Sequence, residues 1–346
     1  MKNKSVFSQS VFIVAEAGVN HNGRLDLAKR LVAAAKEAGA DAVKFQTWKT
    51  EEVIVKGAKT AAYQESNTGE TDQFDMVKKL ELSYGDFTEL KAYADSLGII
   101  FFSTPDEEES LNFLADKLNV PFIKIGSGEI TNPLYLKKIA AKGKPTILST
   151  GMGNMAEVKE AVKAIETVKP NPDLAILHCT SNYPCPLDEV NLGVLKTYQE
   201  TFLDYVIGYS DHTMGILVPQ LAVASGAKII EKHFTLDNKM EGPDHIASLN
   251  PQDFKEMVLA IRLVEKIMGD SEKNITESEK KIKPVVQKTI VAKSDLAAGT
   301  IITESDIMEK RTSETGLLAN QYQQALGKKL KIGLKKDSAI KAENVE

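Results

Sequence analysis

Across the first 270 residues a short run of β-branched and aromatic residues is followed by a stretch of helical periodicity, and this happens eight times: VFIVAEA, DAVKFQT, IIFFSTP, FIKIGSG, PTILSTG, AILHCTS, YVIGYSD and AKIIEKHF. The intervening stretches, such as LDLAKRLVAAAKEAG and MAEVKEAVKAIETV, set Leu, Val and Ala at i, i+3 and i+4 and turn Lys and Glu to the opposite face. Eight strand-then-helix units predict an α/β chain folded as a (β/α)8 TIM barrel, in which a parallel sheet closed on itself is buried on both faces. An open doubly wound sheet is the alternative, but it rarely needs eight consecutive parallel units.

Two segments depart from the repeat. The stretch from Lys49 to Gln73 is too long and polar for an ordinary connection and is expected to be a lid or a substrate loop. Beyond Met268 the text turns to GDSEKNITESEKKIKP, charged and poor in large apolar residues, and then to short apolar runs between Gly and Asp turns. The expected organisation is a barrel over 1–270, a linker over 271–284 and a small, mostly β domain over 285–346.

Charge and composition exclude several classes. With 43 basic and 48 acidic residues interspersed and a net charge of −5, no basic footprint exists for a phosphate backbone, so nucleic acid is not an expected partner. No apolar run approaches the roughly 20 residues of a bilayer span. The opening MKNKSVFSQS lacks a secretory pattern, and a cytoplasmic protein away from membranes is expected. Cys179 and Cys185 match neither a zinc spacing nor a disulfide framework and read as reduced thiols.

A barrel enzyme draws its site from the C-terminal ends of its strands. Here those ends carry Glu16 with Asn20, His21 and Asn22; Lys44 with Gln46; Ser103 with Thr104; Lys124 with Ser127; Ser149 with Thr150; His178, Thr180, Asn182 and Tyr183; Ser210, Asp211 and His212; and Glu231 with His233. Taken alone, residues such as Ser103, Thr104 and Thr150 are ordinary helix caps or backbone partners. Strand parity puts Lys44 with Gln46, Ser210 with His212, and Glu231 with His233 on common faces, able to share one mouth. His212 and His233 on adjacent strands read either as ligands to a divalent ion or as hydrogen-bonded structural histidines. Lys44 and Lys124 inside strands demand an anionic partner, which is a bound phosphate, a barrel carboxylate such as Glu16 or Glu231, or, for a Schiff-base lysine, the reaction itself.

The succession AEAGVNHNG, DAVKFQT, FSTP, KIGSGEITN, ILSTGM, LHCTSNYPCP, GYSDHT, EKHFTLD and GPDHIASL resembles the N-acetylneuraminate (sialic acid) synthase family, which includes legionaminate and pseudaminate synthases. IVAKSDLAAGTIITESDI, Lys310-Arg311 and LGKKLKIGLKKD are similar to that family's antifreeze-like (SAF) domain. The resemblance implies condensation of phosphoenolpyruvate with the open-chain aldehyde of an N-acyl mannosamine-type sugar, giving a nine-carbon 2-keto acid and phosphate. The acceptor is N-acetylmannosamine or 2,4-diacetamido-2,4,6-trideoxymannose, and KFQT and GPDH look closer to those branches than to pseudaminate. It implies His212 and His233 as ligands to Mn2+, with Mg2+ or Co2+ as alternatives, and Glu16 as general base. Lys44, Lys124, Ser127, Ser149, Asn182 and Ser210 match the phosphoenolpyruvate positions, and Gln46, Tyr183 and Asp244 those near the acceptor. It further implies a domain-swapped homodimer in which Arg311 reaches the acceptor's acyl group. The family's Lys-Arg-Pro-Gly reads Lys310-Arg311-Thr312-Ser313 here, which keeps the charge and loses the stiffening proline. A Schiff-base aldolase or lyase on the same barrel, and a sugar-binding protein without turnover, are the competing readings.

Overall fold

The computed structural model describes residues 10–346; the opening nine residues, most of the MKNKSVFSQS segment noted above, lie outside the described residues. It divides into two compact units, one ending at Gly269 and one starting at Asp270.

In the first unit eight parallel strands close in sequence order into a barrel, which rules out the open sheet. They are β1 (Phe12–Gly18), β2 (Ala42–Thr47), β3 (Ile100–Pro105), β4 (Ile123–Ile125), β5 (Thr146–Ser149), β6 (Leu174–Cys179), β7 (Val206–Asp211) and β8 (Ile229–His233). Helix α1 (Leu25–Glu37) follows β1; α2 (Thr50–Val53), α3 (Ala62–Thr68), α4 (Gln73–Leu80) and α5 (Tyr84–Leu97) follow β2; and α6 (Glu108–Asn112), α7 (Pro133–Ala141), α8 (Met155–Glu166), α9 (Gly193–Thr201), α10 (Leu217–Ala224) and α11 (Pro251–Met268) follow β3 to β8 in turn. The helical periodicity is used as written: α1 buries Leu27, Ala28, Leu31, Val32 and Ala35, and α8 buries Val158, Ala161, Val162 and Ile165. The start of α8 is fixed by a capping box, Asn154 accepting from the Ala156 and Glu157 amides while Glu157 accepts from the Asn154 amide. Where β6, β7 and β8 meet, Gly208 has no alternative, because a Cβ there would lie 2.4 Å from Leu177 Cδ2 and 2.7 Å from the Ile229 carbonyl.

Register decides the site. Glu16 pairs with Lys44 on one side and with His233 on the other, so β8, β1 and β2 present these three residues as one row, and Ser210 pairs with Glu231 beside it. The long connection after β2 folds into short helices tied by a Lys59–Asp72 bridge. Asp72 caps α4 by accepting from the Phe74 and Asp75 amides.

The second unit begins with a helix, α12 (Glu277–Val286), inside the segment expected as linker, because Thr276 and Glu279 form a capping box that starts it. Strands β9 (Thr289–Ala292) and β10 (Ile307–Lys310) pair antiparallel, and isolated bridges such as Val291–Ala339 and Leu330–Val345 complete the fold around Ile290, Ile302, Leu330 and Ile340. Arg311 is exposed; its Nε donates to the Val286 carbonyl at 3.2 Å. In place of the lost proline, Thr312 Oγ1 accepts from the Glu314 amide at 3.1 Å and closes the turn. No helix of the described residues is long and apolar enough to cross a membrane, and both cysteines are free and buried.

Candidate active site

A cavity of about 450 Å3 opens at the C-terminal ends of the strands. Of the residues expected there, Glu16, Lys44, Gln46, Lys124, Ser127, Ser149, Tyr183, Ser210, His212 and His233 all line it. Asn182 does not; it is exposed and lines a neighbouring cavity beside His178 and Tyr198, and Ser181 faces the mouth in its stead. Asp244 lines an adjoining cavity of about 220 Å3, and Arg311 belongs to the second unit.

Two lysines and two carboxylates are interleaved in the mouth. Lys44 Nζ lies 2.7 Å from Glu16 Oε2 and 3.7 Å from Glu231 Oε1, and donates to Thr104 Oγ1 at 3.2 Å. Lys124 Nζ donates to Ser149 Oγ at 2.8 Å and also lies 3.7 Å from Glu231 Oε1. All four side chains are at most 5 % exposed, so each charge depends on its neighbours. Both the carboxylate partners anticipated for the lysines are therefore present.

Environment splits the two carboxyls. Burial raises the pKa of Glu16 against the pull of Lys44. Burial acts the same way on Glu231, but Lys124 and Lys44 together outweigh it and leave its pKa lowered. Glu231 thus stays ionised while a proton on Glu16 is in play, the separation that assigns acid and base roles within one site. With that proton in place, two ammonium groups face one carboxylate, and the hydroxyls of Ser127, Ser149 and Ser210 complete a pocket suited to an anion. Gln46 Nε2 donates to Glu16 Oε1 at 2.9 Å and fixes the carboxyl's orientation.

The histidine rings lie 5.3 Å apart at 61°, and Tyr183 packs against both. His212 Nδ1 donates to the Thr180 carbonyl at 2.7 Å, and the same ring shares a hydrogen bond with the Cys179 thiol, which together raise its pKa against burial. His233 makes no side-chain hydrogen bond among the described residues, its Nδ1 is buried without a partner, and burial holds its pKa well below the usual imidazole value. In their neutral forms two imidazoles at this spacing would fit a shared divalent ion, His212 giving up its Cys179 contact to do so. No three His, Cys, Asp or Glu side chains converge as a metal group among the described residues. Of the other three histidines, His178 Nε2 donates to the Val190 carbonyl, His245 lies between Thr235 and Asn22, and His21 accepts from the Gly23 amide at Nδ1 with its Nε2 buried and without a hydrogen-bond partner.

The long loop after β2 contributes Tyr63, which stacks on Tyr183 with ring centres 5.3 Å apart, and Gln64. Glu231, Asp106, Tyr63 and Cys179 are among the lining residues that stand outside the site set read from the sequence. Parity with His233 already places Glu231 in the mouth, but the sequence assigns it no part beyond neutralising a lysine. Asp106 sits two residues past Thr104 with the same parity. Tyr63 and Cys179 carried no periodic signal of their own.

Asp106 is pushed up to about 7, chiefly by burial, with Lys44 opposing. The folded chain holds this proton more tightly than the unfolded one, so Asp106 contributes stability at low pH that is lost as the pH rises from about 4 to about 7. In metal-free buffer the melting temperature is expected to fall between pH 5 and 7.5, with Asp106→Asn removing about 1–2 kcal/mol of that loss. Equal slopes for the two proteins would contradict the assignment.

The NeuB family model matches residues 31–273 and the SAF domain model residues 287–346. The chain is 45% identical over 346 residues to an N,N'-diacetyllegionaminic acid synthase of Legionella pneumophila, covering 98% of this chain and 96% of that protein. It is 45% identical to the enzyme of the same name from Campylobacter jejuni, over 96% of this chain and 99% of that one. Among solved structures it is similar to the N-acetylneuraminic acid (sialic acid) synthetase of Leptospira borgpetersenii, with a TM-score of 0.71 and 35% identity over 79% of this chain and 90% of that chain.

Proposed function

This chain belongs to the NeuB family, and from that membership we propose that its barrel mouth condenses phosphoenolpyruvate with an N-acyl mannosamine-type aldose, N-acetylmannosamine or 2,4-diacetamido-2,4,6-trideoxymannose, to a nine-carbon 2-keto acid and inorganic phosphate. The observation that carries the reading is the row His233–Glu16–Lys44 beside Lys124 and Glu231, which joins an anion pocket to a carboxyl of raised pKa and to the His212–His233 ring pair.

The phosphate and carboxylate of phosphoenolpyruvate meet Lys44, Lys124 and the hydroxyls of Ser127, Ser149 and Ser210. Carbon 3 attacks the aldehyde carbon, whose oxygen takes up a proton from solvent and becomes a hydroxyl. Water adds at carbon 2, giving one proton to Glu16, and the bond from carbon 2 to the phosphate oxygen breaks as the remaining proton of the new hydroxyl passes to the departing phosphate, leaving the ketone and free phosphate. His212 and His233 would hold Mn2+, with Mg2+ or Co2+ as alternatives; when bound, such an ion supplies Lewis-acid polarisation of the aldehyde. Gln46 and Tyr183, with Asp244 in the adjoining cavity, flank the place left for the acceptor. Mass spectrometry of a reaction with each acceptor tests the reading: the expected product is the acceptor plus three carbons, and recovery of unchanged substrates contradicts it.

The family resemblance further supports a homodimer in which Arg311 serves the site of a second copy. Glu16→Gln and Arg311→Ala proteins, each impaired alone, should then regain partial activity when mixed and allowed to exchange subunits. Exchange without any rescue contradicts the arrangement.

A further inference from the structure

The smaller cavity adjoining the mouth shares Gln46, Tyr63, Gln64, Asp106, Tyr183 and His233 with it, so the two spaces are continuous. Away from that shared rim its walls change character. Val19, Trp48, Ile54, Met76, Val77 and Leu80 form them, brought together by β1, β2 and the helices of the long loop, and Val19, Trp48, Leu80 and Val77 pack as a hydrophobic cluster separate from the barrel core. The one polar atom of the Trp48 ring is engaged elsewhere, since Nε1 donates to Thr50 Oγ1 at 3.1 Å, and Thr50 Oγ1 donates in turn to Glu81 at 2.8 Å. Among the described residues no lysine or arginine lines this cavity, and its charged members are the carboxyls Asp106 and Asp244.

We propose that this annex is the specificity subsite for the acceptor, and that it selects a sugar whose end remote from the aldehyde is uncharged and deoxygenated, ending in methyl groups. The inference rests on the condensation proposed above. Its physical basis is the wall chemistry. Water held against Val19, Met76 and Leu80 has no partner on that side, so a methyl group entering there displaces poorly bound solvent and gains apolar contact. A hydroxyl held against that apolar wall loses its water there, the polar groups of the cavity standing at Gln46, Tyr63, Gln64, Tyr183 and the two carboxyls instead. A phosphate would meet two carboxyls and no cation. Of the two acceptors carried by the functional reading, 2,4-diacetamido-2,4,6-trideoxymannose has the deoxygenated carbon and the second acyl methyl, and N-acetylmannosamine ends in a hydroxyl.

The test compares kcat/KM for phosphate release with three acceptors: the diacetamido trideoxy sugar, N-acetylmannosamine and N-acetylmannosamine 6-phosphate. The diacetamido sugar is expected to lead N-acetylmannosamine by tenfold or more, the scale of discrimination by an apolar pocket, and the 6-phosphate to give no turnover. Two partly exposed wall positions, Ile54→Asn and Val77→Asn, each put a polar group into the annex from the loop side and should shrink the lead by about tenfold. A lead for N-acetylmannosamine or its phosphate would overturn the subsite and leave the condensation standing, as would variants that slow both uncharged acceptors equally. Silence with all three acceptors would overturn the condensation and the subsite with it.

Discussion

Glu16→Gln should leave a folded barrel that binds phosphoenolpyruvate within about threefold of the wild type and turns over about 10² times more slowly, or worse, the scale of a positioned acid–base group. The substitution is nearly isosteric and resembles the protonated carboxyl that burial already favours, so Lys44 keeps Thr104 and Glu231 as neighbours and the anion pocket persists. What is lost is the proton acceptor for the water that attacks carbon 2. Because the pKa of Glu16 is raised, wild-type turnover should climb with pH on its acid side as the carboxyl ionises, and that limb should vanish in the variant. Near-normal turnover would remove Glu16 from the mechanism.

His233→Ala should cost on the order of 10³ in turnover, equivalent to the several kcal/mol a Lewis acid contributes to a carbonyl addition. Among the described residues the His233 ring packs against Tyr183 and His212, lies 3.7 Å from Asp244 and makes no side-chain hydrogen bond, so its removal breaks none and the barrel should fold. The decisive readout is binding of the ion itself: the electron spin resonance titration of Mn2+ should lose its tight phase. An unchanged titration would return His233 to the status of a structural histidine.

The barrel was legible because each of its eight units is written twice, once as a β-branched run and once as a helical stripe, so an error in one would have been exposed by the next. The inward row was legible from parity, since Glu231 and His233, or Ser210 and His212, stand two residues apart on strands buried on both faces. Parity ends with the strands. Asn182 lies three residues past the end of β6, where no period fixes direction, and the chain turns Ser181 inward and Asn182 outward. Tyr63 belongs to a seven-residue helix with no buried residue and no apolar stripe, so nothing local announces that it stacks on Tyr183 across the mouth. The helix inside the expected linker follows from the Thr276–Glu279 capping box, a signal spaced three residues apart in the text and outweighed there by charge. The annex is a property of β1, β2 and the loop helices together, and no single segment encodes it.

The central claim is that this mouth joins phosphoenolpyruvate to an aldose and frees phosphate as it does so. The most direct measurement is phosphate release from phosphoenolpyruvate by the metal-loaded protein, with and without the acceptor sugars and with a chelated control. Release that requires an acceptor and stops on chelation is the result expected. Release that proceeds equally without any sugar would mark a phosphatase and contradict the condensation.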